Sequence, residues 1–466
     1  MGLARFIGVA NRAVYVILVA RALGAEAYGS LSVALAWTLT FLPLTTVGLG
    51  AYIVAELSTE RAASQRVLNQ TLSITIAGSL VAAAAAAAIG LWFETDPGTR
   101  LLIILFAVAL SARGITRWTE FVFVAYERPI FTLRQETRFR LLELGGVALV
   151  LLAGAGAAAV AAVAAACWIL QASTGLHLVR NRLAHHSIRP DFSAIRTLFV
   201  ASLPLLTMQL FTEGLLQYPL LLARHILPDA ETVGNVALAL QALFMVSVAP
   251  WALVQVTMPA LLRAHARRDG REIAFVEALF RATAVGTAAL VIGAAALGPW
   301  LVPAILGQDY RLAGELLWLA MLMLGPFGLF ISAGSWLLAG RRYRYAAFSA
   351  AVGLLTLFVA AWALIPALGP AGVFLSAAAA QFTAAMTRLI PLLRTEPQAF
   401  GIPTRNAFAV ATAAAALYGT WAWAGWPVIP GCLLALGVLA LGAFRWCLRQ
   451  PERQLVLAVL TRRQAS

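Results

Sequence analysis

The sequence contains no lysine, only three cysteines and five histidines, and just 12% charged residues among 466. Soluble domains run near a quarter charged. With 61% hydrophobic residues, this shortage of charge excludes an ordinary soluble globular protein. Cys167, Cys432 and Cys447 all fall in apolar segments and read as small core residues, not as a disulfide or metal framework. The one adjacent histidine pair, His185 and His186, lies in an arginine-rich loop and reads as solvated. No metal and no other cofactor is expected.

What fills the chain instead is a ladder of apolar runs. Fourteen are found, from 6–23 to 428–448, each about 20 residues or longer, the length that crosses a bilayer as a helix. "AEA" at 25–27 mimics a signal-peptide cleavage site. The first run is broken by Asn11 and Arg12, however, and thirteen more follow, so it reads as a retained membrane helix.

The arginines test the ladder. One set of alternate loops holds only Arg21, Arg100, Arg224 and Arg311, and Arg113 and Arg117 lie inside a span. The other 28 of the 34 basic residues fall on the opposite side. This asymmetry obeys the positive-inside rule and places both termini in the cytoplasm. The formal charge of +14 is therefore a matter of topology, and no nucleic-acid partner is implied. The expected fold class is an all-α polytopic membrane protein with fourteen transmembrane helices, located in the bacterial cytoplasmic (inner) membrane.

An internal repeat organises the ladder. "ARALGAEAYGSLSVALAW" (20–37) resembles "ARHILPDAETVGNVALALQ" (223–241), "FVAYERP" (123–129) parallels "LLAGRRY" (337–343), and "ACWILQAST" parallels "AAAAQFTAA". The matches cluster at turns and charged residues. They divide the chain into an N-terminal lobe of helices 1 to 6 (1–195), a C-terminal lobe of helices 7 to 12 (196–400), and helices 13 and 14 with a cytoplasmic tail (401–466). Six helices is an even number, so the lobes should be related by a pseudo-two-fold axis along the membrane normal.

Charges inside the spans are the candidate site. In "LSARGITRWTEFVFVAYERP" (110–129), Arg113, Arg117 and Glu120 are spaced i, i+4, i+7 and so stack along one stripe. Each costs roughly 2.5–3.5 kcal/mol in mid-membrane, so the stripe should face protein or water. Arg12 lies about 9 Å into the first helix at about 1.5 Å per residue. Glu213 falls at the middle of helix 7, with Gln209 and Gln217 one turn either side. Two readings stand. One is a set of internal salt bridges, Arg117–Glu120 and Arg113–Glu213, that merely join helices. The other is a wet central cavity in which Arg12, Arg113, Arg117 and Glu120 receive an anionic ligand, two arginines forking onto a diphosphate. In that reading Glu213 is a candidate for coupling to a proton or sodium ion, with Gln209 and Gln217 as cavity polar groups. The charges of helix 5 (Arg134, Glu136, Arg138, Arg140 and Glu143) read either as a helix end at headgroup level, with Glu136–Arg140 an i, i+4 pair, or as the cytoplasmic mouth of the cavity. Bends are expected at Pro43 with Gly48 and Gly50, at Pro204 and Pro219, and at Gly325-Pro326 with Gly328.

The segment at 20–37, followed by "TTVGLG", resembles the first two helices of polysaccharide-repeat-unit transporters. These belong to the superfamily that also holds multidrug and toxin extrusion proteins and the lipid II flippase. "ILGQDYRLAGELLWLAM", "LAGRRYRY" and "LIPALGPAGVFLS" are similar to that family's helices 9 to 12. The resemblance implies alternating access between two six-helix lobes, with helices 13 and 14 offering a groove for a polyprenyl tail. It further implies flipping of an undecaprenyl-diphosphate-linked oligosaccharide to the outer leaflet for O-antigen, capsule or exopolysaccharide assembly. The partners then expected are the lipid-linked oligosaccharide, membrane lipids, a proton or sodium ion, and polysaccharide polymerase and chain-length machinery.

A cation-coupled multidrug exporter and a lipid II flippase are the alternatives within the superfamily. Cation exporters should line the first half with carboxylates, whereas here Arg12, Arg113 and Arg117 outnumber Glu120. A membrane enzyme would need sizeable outer loops. These are short, that between helices 5 and 6 being little more than "GAG" at 154–156, and no activity as an enzyme is expected. A non-transporting scaffold leaves the charges inside the spans without a purpose.

Overall fold

The computed structural model describes residues 2–59, 64–183, 192–267, 271–395 and 400–447. The histidine pair at 185 and 186 lies outside the described residues. Among the described residues every predicted span is helical over most of its length. Two compact units divide the chain, Met1–Leu238 and Ala239–Ser466. The first holds α1 (Gly2–Thr40), α2 (Leu42–Thr46), α3 (Gly50–Thr59), α4 (Ser64–Phe93), α5 (Pro97–Ala125), α6 (Pro129–Leu152), α7 (Ala157–Arg182) and α8 (Phe192–Ile226), and α9 (Ala230–Arg267) begins in it. The second holds α10 (Arg271–Leu306), α11 (Arg311–Leu322), α12 (Leu324–Ala339), α13 (Tyr343–Leu368), α14 (Pro370–Thr395), α15 (Ile402–Trp423) and α16 (Val428–Gly442), which ends in a π-helical turn, Ala443–Cys447.

Among the described residues, eleven stretches are long and apolar enough to cross a membrane. The chain is a multi-pass membrane protein. Eleven and fourteen differ for physical reasons. Predicted helices 1 and 2 run on through a kink at Gly24 (φ 77°) and form one stretch, Ala10–Thr46. The charges of α6 and the polar residues of α15, among them Thr404, Arg405 and Asn406, dilute the hydropathy of those two helices.

Proline and glycine act where expected at two places out of three. Predicted helix 2 breaks into α1, α2 and α3, with Val47 (φ 52°) and Gly48 (φ 72°) in the left-handed region. Predicted helix 10 breaks between α11 and α12, just before Gly325-Pro326. Pro204 and Pro219 stay inside an unbroken α8. A proline removes only one backbone bond, and no glycine or left-handed residue stands beside either of these to turn the chain. Asp96 caps α5, accepting from the Thr99 N–H at 2.7 Å and its hydroxyl at 2.8 Å. These bonds hold its carboxyl below the usual aspartate range.

The core of the first unit explains how α5 presents its charges. Trp118, Val122 and Phe123 turn into a cluster with Ile53 and Leu57 of α3, Leu68 and Leu72 of α4, and Val179 of α7. The Trp118 indole donates to Thr71 Oγ1 at 3.0 Å. Burying this face leaves the Arg113–Arg117–Glu120 stripe on another.

At the arginine-poor end, Arg224 Nε meets Glu94 Oε2 at 3.3 Å, and Glu94 is only 3% exposed. His225 stands edge-on to Trp37 and Phe93, which stack on each other at 5.8 Å. Here the two segments paired by the repeat touch. A Cβ on Gly29 would meet Gly234 Cα and N at 2.9 Å and the Ala230 carbonyl at 3.1 Å, and one on Gly234 would overlap the Ala25 carbonyl. Gly29 faces the Ala230–Gly234 turn of helix just as Gly234 faces Ala25, a reciprocal contact. Farther along, the paired turns share one conformation. Glu127 (φ 57°) and Arg341 (φ 54°) are both left-handed. The next residue of each turn donates back five positions, Arg128 to Phe123 at 2.8 Å and Arg342 to Leu337 at 2.9 Å.

In the second unit, Ala284, Ala288 and Ile292 of α10 pack on Ala407, Ala411, Ala414 and Tyr418 of α15 and on Cys432, Ala435 and Leu439 of α16. Small side chains allow this close approach. Buried Arg281 donates to the Cys447 carbonyl at 2.6 Å and ties α10 to the end of the pair. All three cysteines are free and buried.

Candidate functional site

Charged side chains of α1, α5 and α6 converge within the first unit. Arg113 donates to Gln171 Oε1 on α7 at 3.4 Å, and its guanidinium lies 5.3 Å from the Trp168 ring centroid, in cation–π range. One turn on, Arg117 Nη1 stands 3.9 Å from Glu120 Oε2. That exceeds the roughly 2.7–2.9 Å of a charge-assisted hydrogen bond, so the pair is a loose Coulombic contact. Arg117 keeps donors free for a ligand, and its side chain is 45% exposed.

From α6, Glu136, Arg140 and Glu143 enter the same field. Arg113 feels Arg117, Glu120, Arg140 and Glu136. Arg12 on α1 feels Arg140 and Glu143. Glu143 in turn feels Arg140, Arg113 and Arg12. Four arginines thus meet three glutamates. The excess is positive, and because guanidinium does not lose its proton in proteins, the charge is permanent.

Arg113, Arg117 and Glu120 thus share one field on α5, and Arg12 connects to it only through Arg140 and Glu143 of α6. On α8, Glu213 accepts from Gln217 Nε2 at 2.9 Å and lies within Coulombic reach of Arg117. Among the described residues no ion pair joins Arg113 to Glu213; Arg113 is held by Gln171 instead. Gln209, one turn toward the start of α8, is half-buried and makes no side-chain hydrogen bond within the described residues.

Sequence reasoning missed Gln171 and Trp168 as members, and it left Glu136, Arg140 and Glu143 between the headgroup level and the cavity mouth. A signal existed for α6, because Glu136, Arg140 and Glu143 repeat the i, i+4, i+7 spacing of the α5 stripe. The Glu136–Arg140 contact itself is present at 3.9 Å, with both side chains partly exposed. No sequence signal joins Gln171 to Arg113. Another arginine departs from its expected place. Arg388, counted with the loops by sequence, is 5% exposed inside α14. It donates to Ser349 Oγ at 2.8 Å, the Phe330 carbonyl at 3.0 Å and the Ala346 carbonyl at 3.3 Å, with the Phe330 ring 3.4 Å away.

A family model described as "polysaccharide biosynthesis protein" matches residues 3–265, more than half of the chain and the whole of this site. The chain belongs to that family. A comparison with curated protein sequences returns no match. Solved structures share the fold of this polysaccharide biosynthesis family member at low identity. The lipid II flippase MurJ, in an inward closed conformation, is 12% identical with a TM-score of 0.69, covering 95% of this chain and 96% of that one. An inward-facing multidrug resistance transporter of the MATE family, of the MOP superfamily, is 12% identical with a TM-score of 0.64, covering 84% and 95%. A MOP superfamily transporter from Pyrococcus furiosus, described as having a binding pocket of reverse polarity, is 13% identical with a TM-score of 0.56, covering 85% and 94%.

Proposed function

We propose that this chain is a flippase that carries a polyprenyl-diphosphate-linked oligosaccharide, such as an undecaprenyl-diphosphate-linked repeat unit, from the cytoplasmic to the outer leaflet. The observation that carries this reading is the arginine excess of the α1–α5–α6 cluster, in a member of a polysaccharide biosynthesis family with an exporter fold. A diphosphate offers several acceptor oxygens with two or more negative charges, which two arginine forks match and a lone ammonium does not. Gln171 and Trp168 hold Arg113 in place before ligand arrives, and the loose Arg117–Glu120 contact yields to a phosphate. Pre-organisation of this kind lowers the ordering cost of binding.

In this proposal the chain resides in the bacterial cytoplasmic membrane with both termini inside. Lobes 1–195 and 196–400 alternate between inward-open and outward-open states, and 401–466 serves the lipid tail. Glu213, joined to Gln217 and near Arg117, is the candidate for coupling to a proton or sodium ion. Binding of diphosphate to Arg117 would free Glu213 from its counter-charge and favour uptake of a cation. The product would pass to polymerase and chain-length machinery, for lipopolysaccharide O-antigen, capsule or exopolysaccharide.

The test is a thermal-shift titration of the purified protein with a polyprenyl-diphosphate sugar beside a panel of organic cations, repeated on Arg113→Ala/Arg117→Ala. A ligand that binds only the folded state raises Tm. The diphosphate lipid should stabilise the wild type and not the double variant. Stabilisation by organic cations alone would move the chain to the drug exporters and reduce the arginines to scaffolding.

A further inference from the structure

A second basic site lies apart from the charged cluster. Phe131, Arg134, Gln135 and Arg138 of α6, with Leu178 and Arg182 of α7, line a pocket of about 340 Å³. The α6 residues follow i, i+3, i+4, i+7 and so form one face. At about 100° per residue this face lies roughly 160° around the helix from Glu136, Arg140 and Glu143. Helix α6 thus carries charge on both sides: the pocket side holds only arginines, and the other, with Glu136, Arg140 and Glu143, belongs to the cluster described above. Among the described residues no glutamate or aspartate lines the pocket. Among the described residues, none of Arg134, Arg138 and Arg182 makes an ion pair.

Arg134, Arg138 and Arg182 are exposed side chains that line one cavity with like charge, an arrangement that suits an anion. Gln135 is nearly fully buried beside them, fixed by its Nε2 bond to Thr174 Oγ1 at 3.3 Å. The rest of the lining is apolar, Phe131 and Leu178, and Ile130 and Leu133 stand exposed next to it on α6. A charged head beside apolar walls at the arginine-rich ends of two membrane helices is the chemistry of an anionic amphiphile. Basic pockets between such helices hold lipid phosphates.

We propose that the α6–α7 pocket binds a phosphate-bearing anion through Arg134, Arg138 and Arg182, with Phe131 and Leu178 as its apolar walls. An anionic phospholipid headgroup and free inorganic phosphate share this chemistry, and the apolar walls favour the lipid. The assignment does not rest on the transported substrate, because the pocket shares no residue with the α1–α5 cluster.

The experiment is a thermal-shift titration of the full chain, purified in neutral detergent, with phosphatidylglycerol, with phosphatidylcholine and with inorganic phosphate. Phosphatidylglycerol should raise Tm saturably where phosphatidylcholine does not. Arg134→Gln/Arg138→Gln/Arg182→Gln should weaken the response at least tenfold, and Arg344→Gln/Arg394→Gln, exposed arginines of the second unit, should leave it intact. Saturation by inorganic phosphate, lost in the same triple variant, would uphold the site and make its ligand the free anion. Equal responses to the two lipids without a phosphate response would overturn the proposal, as would a triple variant that responds like wild type. Should the triple variant fail to fold, Leu178→Trp fills the pocket without removing a charge. Loss of the phosphatidylglycerol or phosphate response in that variant supports the site, and an unchanged response overturns it.

Discussion

Arg113 is legible in the sequence as an anomaly, a guanidinium in mid-span that needs a partner. Which partner it takes is not legible. The sequence offers Glu213 as the charge to balance it, and the fold supplies a neutral amide, Gln171, 58 residues away, plus an indole face. A neutral partner orients the arginine without consuming its charge, which suits a ligand site better than a closed ion pair does. Gln171→Leu should therefore leave Arg113 charged but unaimed. A hydrogen bond to a charged group contributes about 1.5–3 kcal/mol, so diphosphate-lipid affinity should fall by roughly tenfold or more, read from the midpoint of the titration. Unchanged affinity would show that Gln171 only packs. Arg388 is the contrasting case. Its contacts to two carbonyls, one hydroxyl and one ring are all protein contacts within the second unit, and they tie α14 to α12 and α13.

At the scale of helices, the design depends on faces. Helix α5 buries Trp118, Val122 and Phe123 and thereby turns out its charged stripe, and α6 sends its charges to two sides. The i, i+4, i+7 spacing shows which residues share a face, but only packing decides what the face meets. The glycines behave likewise. In the sequence Gly29 and Gly234 are equivalent positions of a repeat, and in the fold they are each other's contact. Gly234→Ala places a methyl against the Ala25 carbonyl, where backbone rather than a flexible side chain must move. Overpacking typically costs about 1–3 kcal/mol, so Tm should drop by several degrees. Gly286→Ala on α10 meets nothing within 4 Å and should hold or raise Tm, since alanine favours helix over glycine. Equal Tm values for the two variants would contradict the close contact.

For the whole molecule, the distribution of arginine is the strongest constraint. The fourteen spans expected from the sequence, with arginine concentrated in alternate loops, predict that both termini lie on the arginine-rich side. A fluorescent-protein fusion after Ser466 should be bright inside the cell, and an alkaline phosphatase fusion at Gly425, between α15 and α16, should be active outside it. The reverse pattern at either junction would show a miscounted span. The count itself shows why hydropathy alone falls short. Helix α6 carries too many charges to resemble a membrane span, and only the alternation of arginines in neighbouring loops requires one there.

The sequence by itself determined the class of the protein and its helices, and it supplied the expected alternation across the bilayer and the proposed repeat. These follow from backbone polar groups that must be satisfied inside lipid, and from charge that resists translocation. It also singled out Arg12, Arg113, Arg117 and Glu120. Tertiary structure alone decided that α6 joins them, that Gln171 and Trp168 hold Arg113, and that Arg134, Arg138 and Arg182 meet around a separate pocket. Those relations depend on contacts between residues distant in the chain. Periodicity reports only which side of its own helix a residue occupies, and the neighbour on that side is set by how the helices pack.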